Sequence, residues 1–349
     1  KPRAKESEFY YFQGGNTKYD SWWGVPSLPK FNWASAELRR RFIEGKDSVV
    51  AKWLKAPFKL DGWRIDVANM TGWIREDFYN REVAQTIRKT MDEVCEDTFL
   101  IGEFTSDASE FVEGDSYQST MTYANFTRPT WRWLADTKQT REENQLGPGR
   151  RGISASQFVQ LHQKFAGTFP WQLRMHNLNA LDTHDTGRFK TYALEGAQQV
   201  AAGLQFTFPG IPMIFAGDEF GLDGYNGENS RTPIPWDGER PSDTSMIEVY
   251  AKLAKVRKAN KALVDGSHRF LYASDEAMAF VRENQTESIL VIASRGKDRH
   301  IEFPKDALSQ PEQAKNIYGG GSLRIAGSKI RFEAGKLDFQ IWRLPSAHR

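Results

Sequence analysis

The chain has 349 residues, 39% of them apolar and 26% charged, with a mean hydropathy of −0.61, which is the profile of an ordinary globular protein. No run of 18 apolar residues occurs, so no membrane-spanning helix is expected, and 47 basic against 45 acidic side chains leave a net charge of +2, too weak a surplus for a nucleic-acid surface. The single cysteine, Cys95, excludes an internal disulfide and a thiol-based metal knuckle, and it reads as a small buried hydrophobe.

Residues 1–36 are rich in Gly, Trp, Tyr and Pro without periodicity, which predicts a long functional loop. Over 37–55 the pattern is helical, with Val49, Val50, Trp53 and Leu54 on one face and Arg39, Arg40 and Arg41 on a solvated one. A buried strand follows at 60–67, a helix at 82–94 and a second strand at 98–103. Further strands are predicted near 121–123, 179–183 and 211–216, with amphipathic helices at 154–164 and 196–206. Residues 136–153, with Gly147-Pro148-Gly149, read as an exposed loop and not a phosphate cradle, because no strand precedes them.

Strands alternating with helices mean βαβ units and a parallel sheet. From Asp66 to Glu103 is 37 residues, from Glu103 to Asp185 is 82, and from Asp185 to Gly217 is 32, so five consecutive strands fill 60–217. After a last helix at 246–257 the texture becomes all-β, with short strands at 269–272, 277–282, 288–293, 300–303, 329–332 and 337–342 and turns such as Gly319-Gly320-Gly321.

Three carboxylates stand at expected carboxyl ends of parallel strands: Asp66, Glu103 and Asp185. That face of an α/β barrel gathers catalytic side chains, and two carboxyl groups across a small gap are what glycoside hydrolysis requires. Arg64, two residues before Asp66, points to the same strand face and is placed to keep it ionised.

At these residues the chain resembles a known family. Asp61-Gly62-Trp63-Arg64-Ile65-Asp66-Val67-Ala68-Asn69 is similar to the nucleophile strand of the α-amylase superfamily, glycoside hydrolase family 13. Ile101-Gly102-Glu103 resembles its acid/base strand, and Leu181-Asp182-Thr183-His184-Asp185-Thr186 its third-carboxylate segment. Leu28-Pro29-Lys30-Phe31-Asn32 resembles a loop of the neopullulanase, cyclomaltodextrinase and maltodextrin-glucosidase branch, and Gly210-Ile211-Pro212 with Gly217-Asp218-Glu219 resembles the eighth strand and its loop. The longer stretches 42–66, 121–137 and 181–190 are most similar to maltodextrin glucosidases.

The resemblance implies an α/β fold, a (β/α)8 TIM barrel with a C-terminal all-β sandwich domain, and a retaining double displacement on α-1,4-glucosidic bonds of short maltodextrins. Asp66 would be the nucleophile, and Glu103 would act as acid and then base, its pKa raised by burial and neighbouring carboxylates. Asp185 would hold sugar hydroxyls, Arg64 and His184 would serve as partners of Asp66 and of the substrate, and Asn69 and Met70 would line the acceptor side. Related dual-specificity enzymes often carry Glu at the position of Met70, so Met70 favours short linear substrates. Two alternatives stay open: a cyclomaltodextrinase or neopullulanase-type hydrolase, and a non-catalytic relative whose barrel serves as a binding module.

The family's third barrel strand carries an Asp followed four and five residues later by Asn-His, and no His here follows an Asn. Three βα units need roughly 100 residues, so the chain is expected to supply strands four to eight. The expected parts are 1–36 as the remnant of the loop after strand three, 37–262 as the C-terminal part of the barrel, and 263–349 as the sandwich domain. The expected partners are an α-glucan oligosaccharide and a companion polypeptide carrying strands one to three, with no nucleic acid and no membrane. No cofactor or metal is required. Calcium, common in the wider family, finds only Asp218, Glu219 and Asp223, which more plausibly shape a loop. The expected location is cytoplasmic.

Overall fold

The computed structural model describes residues 4–15, 17–138 and 152–346, so the stretch 139–151 of the expected loop at 136–153 lies outside the described residues. The chain divides into two compact units, Lys1–Met121 and Thr122–Arg349.

In the first unit, residues 4–34 form an arm folded back on itself by isolated bridges between Tyr10 and Phe31, Phe12 and Tyr19, and Ser21 and Pro29. The single helix expected at 37–55 is two helices, α1 (Ala36–Phe42) and α2 (Val49–Leu54). Gly45 takes a left-handed φ of 76° that ends the first helical path, and Ser48 starts the second by accepting from the Ala51 amide at 3.2 Å. The arginine run is solvated only in part: Arg40 and Arg41 pair with Glu37, whereas Arg39 reaches Glu82 at 2.6 Å.

Strand β1 (Gly62–Ile65) leads through a hairpin of β2 (Trp73–Ile74) and β3 (Asp77–Phe78) to α3 (Asn80–Val94). Val83, Ala84, Ile87 and Met91 form the buried stripe of α3 at the spacing of an amphipathic helix. Cys95 caps that helix and is half-buried, so the expectation of full burial fails at a chain exit. Next come β4 (Phe99–Gly102) and β5 (Ser119–Thr120), which make a parallel sheet in the order β1-β4-β5.

The strand expected near 121–123 is β5, which lies just before it and ends at Thr120. The second unit opens on a wide π-type helical turn, Tyr123–Thr127, running into α4 (Arg128–Leu134). The helix α5 (Ala155–Ala166) has a capping box in which Ser154 and Gln157 exchange bonds. The short α6 (Trp171–Arg174) precedes β6 (Leu178–Ala180). Then α7 (Phe189–Tyr192) and α8 (Ala197–Thr207) lead to β7 (Ile211–Met213), which pairs in parallel with β6. Strand β7 is shorter and more open than the buried strand expected at 211–216, with Ile211 39% exposed. The unit continues through α9 (Gly227–Ser230), α10 (Ser245–Ala259) and α11 (Ala262–Asp265).

The C-terminal strands are β8 (Arg269–Ala273), β9 (Ala277–Glu283), β10 (Glu287–Ser294), β11 (Asp298–Pro304), β12 (Lys315–Tyr318), β13 (Leu323–Ala326), β14 (Lys329–Ala334) and β15 (Phe339–Pro345). They form a five-stranded sheet, β12-β15-β10-β9-β8, and a three-stranded one, β11-β14-β13. Alternation along β10 explains its continuous apolar run. Leu290 and Ile292 pack in the core shared with Ile301, Ile330 and Phe332 of the smaller sheet. Ile289, Val291 and Ala293 join the core built with α5 and α8. Both faces are covered, so period-2 polarity disappears. Strands β12 and β13 escape the sequence pattern because β13 exposes all but Leu323 and β12 is half polar.

Candidate active site

In the first unit the parallel register does the positioning. Gly62 lies opposite Phe99 and Ile65 opposite Gly102, an offset of 37 that carries over to Asp66 and Glu103 just past the strand ends. The ladder continues there, with the Glu103 amide donating to Ile65 O and the Ala68 amide to Glu103 O, both at 3.0 Å. Gly102 is required beside this rung, because a Cβ would stand 2.2 Å from the Phe104 ring and 3.1 Å from the Ala68 Cβ.

One guanidinium joins the two acids. Arg64 Nη1 donates to Asp66 Oδ1 at 2.7 Å and Nη2 lies 2.9 Å from Glu103 Oε2, the oxygen that also accepts from the Val67 amide at 2.9 Å. Their surroundings differ sharply: the Asp66 side chain is 73% exposed and that of Glu103 only 5%. A carboxylate open to solvent is free to meet an incoming atom, whereas the enclosed Glu103 is held in place by the Arg64 guanidinium and the Val67 amide.

The turn after Asp66 is strained and braced. Val67 has φ 45°, a left-handed conformation rare for a β-branched residue and of the kind found where side chains are held for function. Buried Asn80, at the start of α3, donates to Ala68 O and, at 2.8 Å, to Thr71 O. Asn69 and Met70 lie in this turn, both half-buried. The sequence reading missed Asn80, whose only sequence signal is a polar residue at the head of an apolar-striped helix.

In the second unit Asp185 lies five residues beyond the end of β6. His184 Nε2 is 3.3 Å from its Oδ2, and Arg231 Nη2 donates to its Oδ1 at 3.1 Å while Arg231 Nε donates to the His184 carbonyl at 2.8 Å. From below, the Asp185 amide donates to Thr183 Oγ1 at 3.2 Å, and that hydroxyl lies 3.0 Å from the Tyr123 hydroxyl. Gly227 lets the next loop close on this backbone, since a Cβ there would be 3.0 Å from His184 O. Arg231 was missed by the sequence reading, being 46 residues from Asp185 in a loop with no motif of its own.

Arg188 ties these loops together from inside. Fully buried, it pairs with Asp218 at 2.8 Å and donates to the carbonyls of Phe215, Ala216 and Ser230. The neighbouring acids are engaged by the protein: Glu219 Oε2 accepts from the Gly217 amide at 2.8 Å, and Asp223 is 3.8 Å from Lys190 Nζ. Among the described residues no group of three or more His, Cys, Asp or Glu is arranged to hold a metal ion, and no helix is long and apolar enough to cross a membrane.

The structure thus gathers Arg64, Asp66, Asn69, Met70 and Glu103 in one unit and His184 and Asp185 in the other. A family model described as the α-amylase catalytic domain matches residues 6–243. Among curated proteins, a cyclomaltodextrinase of Geobacillus thermopakistaniensis is 29% identical over 83% of this chain and 45% of its own length. Another, of Thermoanaerobacter pseudethanolicus, is 29% identical over 89% and 48%. The chain spans about half the length of the curated relatives it matches. Among solved structures, the native debranching enzyme of Nostoc punctiforme superposes with a TM-score of 0.84 at 22% identity, over 98% of this chain and 71% of that one.

Proposed function

The chain belongs to the α-amylase family, and from that premise we propose that it carries the catalytic acids of a retaining α-glucosidase acting on α-1,4 bonds of short maltodextrins. The observation that supports this most is the single rung holding Asp66 in solvent and Glu103 enclosed, with Arg64 between them. An Asp66 oxygen bonds to the anomeric carbon as the glycosidic C–O bond breaks, and Glu103 gives its proton to the departing oxygen. Water then bonds to the same carbon, yielding its proton to Glu103 and freeing Asp66. Asp185, steadied by His184 and Arg231, binds sugar hydroxyls through both steps. The scheme needs no metal or cofactor.

The parts are assigned as before: 1–36 the loop after strand three, 37–262 the barrel portion with strands four to eight, 263–349 the sheet domain. The half-exposed residues of β1 and the exposed Ile211 of β7 favour further strands covering them, supplied from outside this chain on the same or a companion polypeptide. A second reading, hydrolysis of cyclic maltodextrins, is favoured by the names of the relatives. Assaying the complete protein on maltotriose and on β-cyclodextrin separates the two. Asp66→Asn and Glu103→Gln should each lower turnover by about 10²-fold or more, and survival of full turnover in either variant would refute the mechanism.

A further inference from the structure

Directly behind the loop that presents His184 and Asp185, two carboxyl groups are enclosed with one guanidinium. Asp182, Asp218 and Arg188 are each at most 2% exposed. Each carboxyl group has one oxygen satisfied: Asp182 Oδ2 accepts from the Phe189 amide at 2.6 Å, and Asp218 Oδ1 accepts from Arg188 Nη1 at 2.8 Å. The other two oxygens, Asp182 Oδ1 and Asp218 Oδ2, find no protein donor among the described residues. The two carboxyl groups lie close enough to act on each other, and as two ionised carboxylates neither could donate to the other.

The charges lead to the same place. Two carboxylates and one guanidinium leave an enclosed cluster with one uncompensated negative charge. The groups around them do not cancel it. Arg188 Nη1 and Nη2 also donate to carbonyls, Gln198 donates to the Asp218 carbonyl at 2.7 Å, and Tyr250 and Glu219 are respectively neutral and acidic. Burial, then repulsion from Asp182, pushes the Asp218 carboxyl well above the usual range, with Arg188 opposing.

We propose that Asp182 and Asp218 share one proton between Asp182 Oδ1 and Asp218 Oδ2, and that this acid–carboxylate pair is the positioning element for the Asp185 loop. The proton supplies both missing hydrogen-bond partners at once and makes the cluster neutral. Asp182 lies three residues before Asp185, and Arg188, paired with Asp218, holds the Ser230 carbonyl next to Arg231, which grips Asp185. The pair therefore supports Asp185 along both chain segments that reach it. The positioning role rests on the function proposed above; the shared proton does not.

Infrared spectra of the protein carrying this chain, at neutral pH, test the proton without any assay of activity. A carbonyl stretch of a protonated carboxylic acid is expected in the wild type, and its absence would overturn the proposal even if no variant could be made. Asp218→Asn and Asp182→Asn, whose amides supply the donor permanently, should fold and lose part of the carboxylic-acid absorbance, leaving whatever Glu103 contributes; absorbance equal to the wild type in both overturns it. Because the native pair keeps a proton that the unfolded chain has released above about pH 4, the pair's own contribution to stability falls as pH rises through that window. Asp218→Asn should gain on the wild type by up to about tenfold in unfolding constant per pH unit. Parallel curves for the two proteins would contradict it. Asp218→Ala should be destabilised at every pH where the Asn variant is not. In the complete enzyme the alkaline limb of kcat should move in Asp218→Asn with KM little changed; an unmoved limb removes the positioning role and leaves the shared proton standing.

Discussion

The two units present their carboxylates by different means. In the first, backbone register alone brings Asp66 and Glu103 to one rung, and a single arginine two residues from Asp66 joins them. In the second, Asp185 stands on a loop and is held by side chains from elsewhere: Arg231 from the loop after α9, and Arg188 with Asp218 from below. The first arrangement is local and partly open to solvent; the second is long-range, with the buried Arg188 and Asp218 beneath a half-exposed Arg231. Damage to the first, or to Arg231, should therefore show in chemistry, and damage to the buried Arg188 in folding.

The largest expected effect breaks that contrast most simply. Arg188→Ala leaves Asp218 and Asp182 without their cation in an enclosed space and should cost about 3–5 kcal/mol, read as a shift in the denaturant midpoint. Arg64→Ala, in a half-buried site with solvent at hand, should leave the midpoint far less changed while abolishing turnover. Equal destabilisation by the two would erase the distinction.

A smaller effect is expected at Arg231, which touches Asp185 but is itself 45% exposed. Arg231→Ala should lower kcat by roughly tenfold to a hundredfold through loss of alignment, with stability changed by less than about 0.5 kcal/mol. Lysine should not rescue it, because one ammonium cannot reproduce the two directed bonds to His184 O and Asp185 Oδ1.

The smallest effect concerns pH. His162 is buried with its Nδ1 at 2.7 Å from Asn125 O and its Nε2 at 2.8 Å from Arg174, and burial, with Arg174 adding to it, lowers its pKa to about 3. Between about 6.5 and 3 the unfolded chain binds a proton that the native ring refuses, so the contribution of His162 to stability falls as pH falls, by at most about 1.4 kcal/mol per unit. His162→Asn, which keeps the donor to Asn125 O, should flatten this acid slope relative to the wild type; identical slopes would show that the ring does not carry it.

How much of this could be read from the sequence follows the same division. The spacing of 37 between Asp66 and Glu103 is the strand register itself, so the pair and its bridging Arg64 were legible from residue positions. The five parallel strands and most of the sheet domain were legible because apolar runs between turn residues leave a local trace. Arg231, Asn80 and the Asp182–Asp218 contact left none, since each joins residues distant in the chain or uses a side chain whose type is common at surfaces. The break between α1 and α2 was missed because one glycine at a left-handed φ interrupts an otherwise continuous helical pattern. The openness of β7 was missed because an apolar run reads as buried whatever covers it.

The most direct measurement is to trap the covalent intermediate. The complete protein carrying this chain would be incubated with a fluorinated α-glucosyl fluoride that slows the second step, then analysed by intact mass and peptide mapping. A gain of one fluoroglucosyl group on the peptide containing Asp66, absent in Asp66→Asn, is expected. A label on another residue, or turnover giving the inverted anomer with no adduct, would contradict the assignment of Asp66 as nucleophile and of the reaction as retaining.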